Sequence, residues 1–211
     1  GDAPIHYTLD GSEPTAASPR YTGPVEIGKS ARFRATALRE GGENASYSRE
    51  FAFSKSTGRP AVLNTKPNDS YTFEGASLLV DGYHSRPVFT SGAWLGYLDE
   101  PLDVTIDMGG EQSYRSVELE TLAEKGDWIF PPSSVTVWVS DNGTDFTEVA
   151  SVTVPEAKAG DADGIGRYRM QFPETSARYL KVVAQNAAAI PAWHPGAGSK
   201  GFLFVDEIVV E

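Results

Sequence analysis

Short stretches in which apolar and polar residues alternate recur along the whole chain. Between residues 30 and 38 alanine and phenylalanine alternate with arginine and threonine, and between 102 and 108 aliphatic residues alternate with aspartate and threonine. A period of two predicts β-strands that bury one face. Further stretches with strand-like character are 5–8, 47–53, 117–120, 135–140, 146–149, 168–172, 178–184 and 203–210.

Turn-forming residues separate these stretches. The chain has 21 glycines and 14 prolines in 211 residues, and residues 10–14 (DGSEP) and 141–143 (DNG) are typical turn sequences. No stretch sustains a helical apolar stripe, so the pattern predicts an all-β fold of the sandwich or barrel type. The polar, unpatterned stretch 54–60 predicts a domain boundary, with one domain at residues 1–57 and another at 58–211.

Charge and composition narrow the range of partners. The net charge is −11; residues 1–57 hold 7 acidic and 7 basic side chains, so residues 58–211 carry all of it. An acidic surface repels phosphate groups, which argues against nucleic acid and anionic membranes but not against a neutral glycan.

The chain has no cysteine, which excludes disulfides and thiol chemistry. No apolar stretch is long enough for membrane insertion.

The first domain carries a specific motif. Residues 5–15 (IHYTLDGSEPT), with Ser18, Tyr21 and Pro24 after them, resemble the small immunoglobulin-like domain at the C-terminus of chitobiases and β-hexosaminidases. The resemblance implies a small Ig/fibronectin-like sandwich. It also implies an N-terminally truncated one, because the strand that usually precedes the motif is missing and the chain does not begin with methionine.

The second domain resembles the coagulation factor 5/8 C-terminal (discoidin) domain, a group that includes the family 32 carbohydrate-binding modules. The resemblance implies a discoidin-type, galactose-binding-like jelly-roll β-sandwich. The matching pieces, in order, are LVDG at 79–82, Trp94, VTIDMG at 104–109, VTVWVSDNGTDF at 135–146, ARYLKVVA at 177–184 and FVDEIVV at 204–210.

The stretch PAWHPGAG at 191–198 is similar to the variant of this domain found on family 20 glycoside hydrolases of gut Bacteroidetes. That resemblance implies a non-catalytic accessory region of a secreted, chitobiase-like β-N-acetylhexosaminidase. The region would tether the enzyme to glycans that contain N-acetylhexosamine or galactose. It further implies export to the periplasm, outer membrane or exterior of a Gram-negative bacterium. The alternative is a structural spacer or oligomerisation module that packs on the upstream catalytic domain of the same chain.

Catalytic residues are not expected in this chain, although the parent protein is expected to be a glycoside hydrolase. Glycoside hydrolysis usually needs two carboxyl groups on either side of one sugar. The most visible pair is Asp206 and Glu207. Neighbouring residues on a regular strand point to opposite faces, so this pair is not expected to flank one bond.

Loop aromatics are the expected sugar-binding groups, because sandwich modules bind sugars with an aromatic platform and a few polar side chains. Trp193 and His194 could instead lock their loop, since prolines flank them. Leu95 argues against a galactose-type site, because galactose-binding relatives carry histidine there. The expected ligand-binding residues are Trp128, in the loop EKGDWIFPP, Trp193 and His194, in the loop before the last strand, and Tyr83, His84 and Arg86, after Asp81.

A structural calcium ion is the expected cofactor, because lectin-like discoidin relatives often hold one. Their ligands include an aspartate in the early DG loop and a glutamate near the end of the last strand, which Asp81 and Glu207 match. Carboxylate oxygens suit calcium. The alternative is that Asp81 caps a turn and Glu207 is an edge-strand carboxylate.

Overall fold

The computed structural model describes residues 3–39, 41 and 43–211. The chain forms two compact units, Gly1–Phe53 and Ser54–Glu211. The predicted all-β class is confirmed, since the helices of the described residues are four short 3-10 helices and antiparallel strands make up both units. Among the described residues, no helix has the length and apolar character needed to cross a membrane.

The first unit is built on one antiparallel sheet of three strands in the order β1-β2-β3. The strands are β1 (Ile5–Thr8), β2 (Ala31–Ala37) and β3 (Ala45–Phe51), which confirms the three strands predicted here. Aromatic side chains cover one face: the rings of Tyr7 and Phe33 stack at 5.8 Å, and Tyr47 packs on Phe33 at 6.3 Å.

The DGSEP stretch forms the predicted turn after β1. The Oδ1 atom of Asp10 accepts hydrogen bonds from the backbone N–H and the hydroxyl of Ser12, at 2.9 and 2.6 Å. Gly11 has a φ of 81°, and a Cβ atom there would lie 3.0 Å from the Cβ of Arg32. The turn therefore requires glycine for both its conformation and its close approach to β2.

The second unit contains seven strands. The strand order is β5-β10-β6-β9-β7-β8, and β4 pairs with β6. The strands are β4 (Ala61–Leu63), β5 (Leu95–Tyr97), β6 (Leu102–Ala123), β7 (Ser134–Ser140), β8 (Thr147–Thr153), β9 (Gly164–Gln185) and β10 (Leu203–Val210). Its 3-10 helices are Asp69–Tyr71, Gly75–Val80, Phe89–Ser91 and Lys125–Asp127.

Two long strands, β6 and β9, run through both layers of a jelly-roll sandwich. Each has 22 residues, and their pairing shifts register between Asp107 and Gln112 and again between Tyr114 and Ser116. In one layer, the part of β6 before these irregularities pairs with β4 and with the end of β9, and the end of β9 also pairs with β7. In the other layer, the part of β6 after them pairs with the start of β9 and with β10.

The core lies between these two layers. The predicted inward positions of β6, Leu102, Val104, Ile106 and Met108, are fully buried. They belong to one cluster with residues of the second layer such as Ile208. The side-chain alternation seen in the sequence therefore places the two inner faces correctly.

Residues 54–57, which the sequence pattern assigns to the first domain, hydrogen-bond to the last strand of the second unit. The Ser56 hydroxyl donates to the carbonyl of Ile208 at 2.6 Å, and the Lys55 N–H donates to the carbonyl of Val210 at 3.0 Å. Ser56 is fully buried in this position.

Candidate functional site

Three of the predicted sugar-binding residues lie together beyond the end of β6. The His194 ring lies between the two indoles, with ring centroids 6.0 Å from Trp128 and 5.6 Å from Trp193, and both contacts are edge-to-face. Trp128 and Trp193 are 42% and 39% exposed, whereas His194 is buried. We call these three residues the tryptophan surface.

A tight turn positions Trp128. The residue follows the short 3-10 helix Lys125–Asp127, and its N–H donates to the Lys125 carbonyl at 3.0 Å. Its φ is 64°, in the left-handed region, which is uncommon for a bulky residue. Strained conformations of this kind concentrate at functional sites, where the surrounding structure maintains them.

His194 links the two loops of the tryptophan surface. Its Nδ1 accepts a hydrogen bond from the backbone N–H of Gly196 at 3.0 Å, and its Nε2 lies 2.9 Å from the carbonyl oxygen of Lys125. A carbonyl can only accept, so both bonds require the neutral tautomer with hydrogen on Nε2. His194 therefore supports the two indoles from the buried side. Because it is buried, its ring cannot stack on a sugar.

Trp193 is held by a hydrogen bond and by ring contacts, although the residue is 39% exposed. Its indole N–H donates to the carbonyl of Ala157 at 2.9 Å, which ties the β9–β10 loop to the segment after β8. The ring also packs on Phe130 with a centroid distance of 6.4 Å. A ring held in this way is pre-organised for stacking, which lowers the entropy cost of binding.

Lys125 supports the site and was not among the residues predicted from sequence. Its side chain is only 9% exposed, its ammonium group pairs with Asp163, and it donates to the Asp161 carbonyl at 2.9 Å. The hydrogen bond from Lys125 lowers the pKa of Asp163. The turn that carries Trp128 is thus anchored to the segment before β9. The sequence feature that could have identified Lys125 is that it is a lone lysine among the acidic residues of this loop.

Tyr83, His84 and Arg86 lie in the loop after Asp81. His84 Nδ1 lies 2.9 Å from the Glu120 carboxylate, which also accepts from Arg167 at 2.8 Å. The hydrogen bond to Glu120 raises the pKa of His84. In the described part of the chain, the ring contacts of Trp128 and Trp193 do not include His84.

The other two residues of this group have different surroundings. Arg86 is exposed, and its carbonyl accepts the indole N–H of Trp94 at 2.9 Å. Tyr83 is half-buried, and its N–H donates to the Asp81 carboxylate at 2.7 Å. Trp94 and Leu95 are fully buried, so neither side chain can contact a sugar.

The prediction that Asp206 and Glu207 point to opposite faces assumes a regular strand. The pairing of β10 with β6 shifts register between Val205 and Ile208, and both carboxylates are buried. A bulge breaks the regular alternation of a strand. The Asp206 carboxylate accepts from the N–H and hydroxyl of Ser85, at 2.7 and 3.2 Å. Burial raises its pKa to about 8.

Glu207 is the buried carboxylate at the predicted calcium site. Its Oε2 accepts from the Gly82 N–H at 3.2 Å, while its Oε1 has no hydrogen-bond partner among the described residues. Burial raises the pKa of Glu207 to about 10, and the nearby carboxylates of Asp81 and Asp206 contribute to the shift. Asp81 also accepts from Tyr83, as expected for a turn cap.

The chemistry of this pair fits a hard cation, because an unpartnered buried carboxylate oxygen and a second carboxylate are suitable oxygen ligands. Within the described ranges, no three His, Cys, Asp or Glu side chains group together in a way that could hold a metal ion. A calcium ion would therefore depend on backbone carbonyls in addition to Asp81 and Glu207.

Family comparisons agree with the two-unit organisation. Residues 1–51 match the family described as Fn3 associated, and residues 64–200 match the F5/8 type C domain. The chain belongs to the F5/8 type C domain family. No curated protein matches the chain.

Solved structures of carbohydrate-binding modules are similar to the chain. Chitosan-binding module 1 of a chitosanase/glucanase from Paenibacillus sp. IK-5 is 17% identical, with a TM-score of 0.48, and the match covers 75% of this chain and 98% of that one. A CBM32 module from Clostridium perfringens in complex with GalNAc-β-1,3-galactose is 17% identical, with a TM-score of 0.48, covering 72% and 93%.

Proposed function

We propose that this chain is a carbohydrate-binding accessory region that binds a glycan on the tryptophan surface. One observation carries the proposal: Trp128 and Trp193 are both exposed, and both contact the same buried residue, His194. Large exposed aromatic rings that converge at one place are typical of binding sites. Membership of the F5/8 type C family supports the proposal.

The chemistry of the surface favours a neutral sugar. Aromatic faces contact the apolar C–H face of a pyranose, and the charge of −11 disfavours anionic glycans. Because Leu95 is buried where galactose-binding relatives carry histidine, N-acetylhexosamine is the preferred ligand over galactose. The affinity for a single sugar would lie in the micromolar-to-millimolar range, about 4–8 kcal/mol.

The parent protein belongs to the same proposal. The DGSEPT motif of the first unit and the PAWHPGAG motif of the second both support a secreted β-N-acetylhexosaminidase from a Gram-negative bacterium. In such an enzyme the region would raise the local concentration of glycan by tethering. One structural calcium ion, with Asp81 and Glu207 as ligands, would stabilise the loop after Asp81.

Calorimetric titration with N-acetylglucosamine and with galactose tests the proposed function. We expect Trp128→Ala and Trp193→Ala each to weaken binding about tenfold or more, as truncation of a central aromatic contact does. Trp138→Ala is the matched control. This tryptophan lies in the middle of β7, with the Lys181 ammonium 5.6 Å from its ring centroid, and its loss should leave affinity unchanged.

Two results would contradict the proposal. One is the absence of binding to any N-acetylhexosamine- or galactose-containing glycan at millimolar sugar. The other is binding that Trp138→Ala weakens as much as Trp128→Ala does. The first result would favour the structural spacer as the role of this region, and the second would show that the glycan does not bind specifically on the tryptophan surface.

A further inference from the structure

A preformed cleft lies next to the tryptophan surface. Its volume is about 370 Å³, and three segments line it: residues 130–133, residues 154–157 and residues 187–192. Hydrogen bonds fix these segments to one another. The Val154 N–H donates to the carbonyl of Ser133 at 2.8 Å, and the Ser133 hydroxyl donates to the carbonyl of Asn186 at 2.8 Å. The cleft therefore does not depend on a ligand to form.

The lining of this cleft is mostly proline and alanine. It includes Pro131, Pro132, Pro155 and Pro191 and the alanines at 187–189, and its polar side chains are Ser133 and Glu156. The proline and alanine side chains carry no hydrogen-bonding group, so the groups of this wall that can bond to a ligand are Ser133, Glu156 and backbone atoms. An occupant that presents apolar surface to the proline and alanine side chains fits this wall.

The cleft is continuous with the tryptophan surface through Trp193. The indole N–H of Trp193 bonds to the carbonyl of Ala157, which lines the cleft, and its ring packs on Phe130, which also lines it. A glycan whose first sugar stacks on the exposed indole would place its next sugar at the cleft. The acidic charge of this unit and Glu156 at the wall disfavour an anionic occupant.

We propose that the proline–alanine cleft is a second subsite, which takes the acetamido group of the neighbouring sugar in the glycan. The methyl group would pack on the proline and alanine side chains. The amide would keep its polar atoms toward Ser133 and solvent. This inference rests on the proposed function, because the first sugar must lie on the tryptophan surface.

Titration of the full 211-residue chain with three probes tests the subsite. The probes are N-acetylglucosamine, its β-1,4 disaccharide, and cellobiose, which has the same linkage without acetamido groups. We expect the acetylated disaccharide to bind about fourfold tighter, or more, than either of the other two probes. This ratio of affinities corresponds to the free energy gained by burying one methyl group.

A variant that fills the cleft separates this subsite from the first. Ala189 is exposed and lines the cleft, so Ala189→Leu should reduce the affinity for the acetylated disaccharide to that for the single sugar. The affinity for N-acetylglucosamine alone should not change. Ala159→Leu, at an exposed alanine near the cleft but outside its lining, is the matched control and should have no effect.

Equal affinity for the acetylated disaccharide and cellobiose would overturn the inference and leave the proposed function intact. If neither disaccharide binds, the acetamido subsite is wrong, and other glycans then decide whether the proposed function survives. If Ala159→Leu weakens binding as much as Ala189→Leu, the effect does not come from the cleft.

Discussion

Gly196 lies directly against the Trp128 indole. A Cβ atom at this position would come within 2.8 Å of Cη2 and Cζ2 of that ring, which is closer than packed atoms allow. The indole is the movable partner, so it would shift rather than the backbone. The position of the exposed ring thus depends on the absence of one methyl group in the loop opposite.

We predict that Gly196→Ala weakens glycan binding severalfold while the fold remains intact. An overpacked contact of this kind costs about 1–3 kcal/mol, and here the cost would be relieved by displacing Trp128. Calorimetric titration measures the affinity, and thermal unfolding checks the fold.

Gly126→Ala is the control for this prediction. Gly126 is in the 3-10 helix just before Trp128, and a Cβ atom there would meet nothing within 4 Å. If both alanine variants bind glycan equally well, the close contact with Gly196 does not position Trp128.

Single residues also show what the sequence could and could not predict. Trp128 and Trp193 were identified because they are loop aromatics, the platforms on which sandwich modules bind sugars. Their proximity could not be predicted, because it depends on His194 bonding to the Lys125 carbonyl across 69 positions of sequence. His194 was predicted as a ligand-binding residue, and its burial indicates a supporting position instead.

At the scale of elements, the 3-10 helix Lys125–Asp127 connects the tryptophan surface to the sandwich. The Lys125 side chain reaches Asp163 and the Asp161 carbonyl, and its own carbonyl contacts both His194 and Trp128. Burial, followed by the carboxylate of Asp127, raises the pKa of the neighbouring Glu124. Lys125 is therefore the cation that holds an acidic turn in place.

We predict that Lys125→Met lowers the free energy of unfolding by about 1–3 kcal/mol, the usual value of hydrogen bonds to a charged group. It should also weaken glycan binding, because Trp128 and His194 both bond to this turn. Chemical denaturation and titration of the same samples measure the two effects.

Lys158→Met provides the comparison, since Lys158 is exposed in the loop before Asp161. Its effect on stability should stay within about 0.5 kcal/mol, as for most surface substitutions. A Lys125→Met protein with unchanged stability would show that the buried ammonium group contributes nothing to the turn.

The strands of the sandwich were predicted well where alternation is regular. The segments 102–108 and 117–120 were correctly identified as strands, but they belong to one strand, β6, because bulges interrupt the pattern between them. The same applies to 168–172 and 178–184 in β9. β4 and β5, with three residues each, are too short to show a period.

At the scale of the whole molecule, the chain has a net charge of −11, and two of its carboxylates are buried on β10. Asp206 and Glu207 are both within the sandwich of the acidic unit, where burial disfavours their charged forms. Unpaired buried carboxylates lower the stability of a fold unless a proton or a cation compensates them. Calcium is the proposed compensating ion.

We predict that calcium raises the thermal stability of the chain. At a concentration 100-fold above the dissociation constant, one bound ion stabilises the folded state by about 2.7 kcal/mol. Glu207→Gln should abolish the calcium effect, whereas Glu111→Gln, at an exposed carboxylate of β6, should preserve it. Identical unfolding curves with calcium and with a chelator would exclude the ion.

The central claim is that a glycan binds on the tryptophan surface. The chain has four tryptophans, so its ¹H–¹⁵N correlation spectrum contains four indole N–H signals that can be assigned by substitution. During titration with N-acetylglucosamine, and separately with galactose, we predict that the signals of Trp128 and Trp193 shift with sugar concentration. The signals of buried Trp94 and of Trp138 should stay in place. If all four signals remain unchanged at millimolar sugar, or if those of Trp94 and Trp138 shift instead, the tryptophan surface is not the binding site.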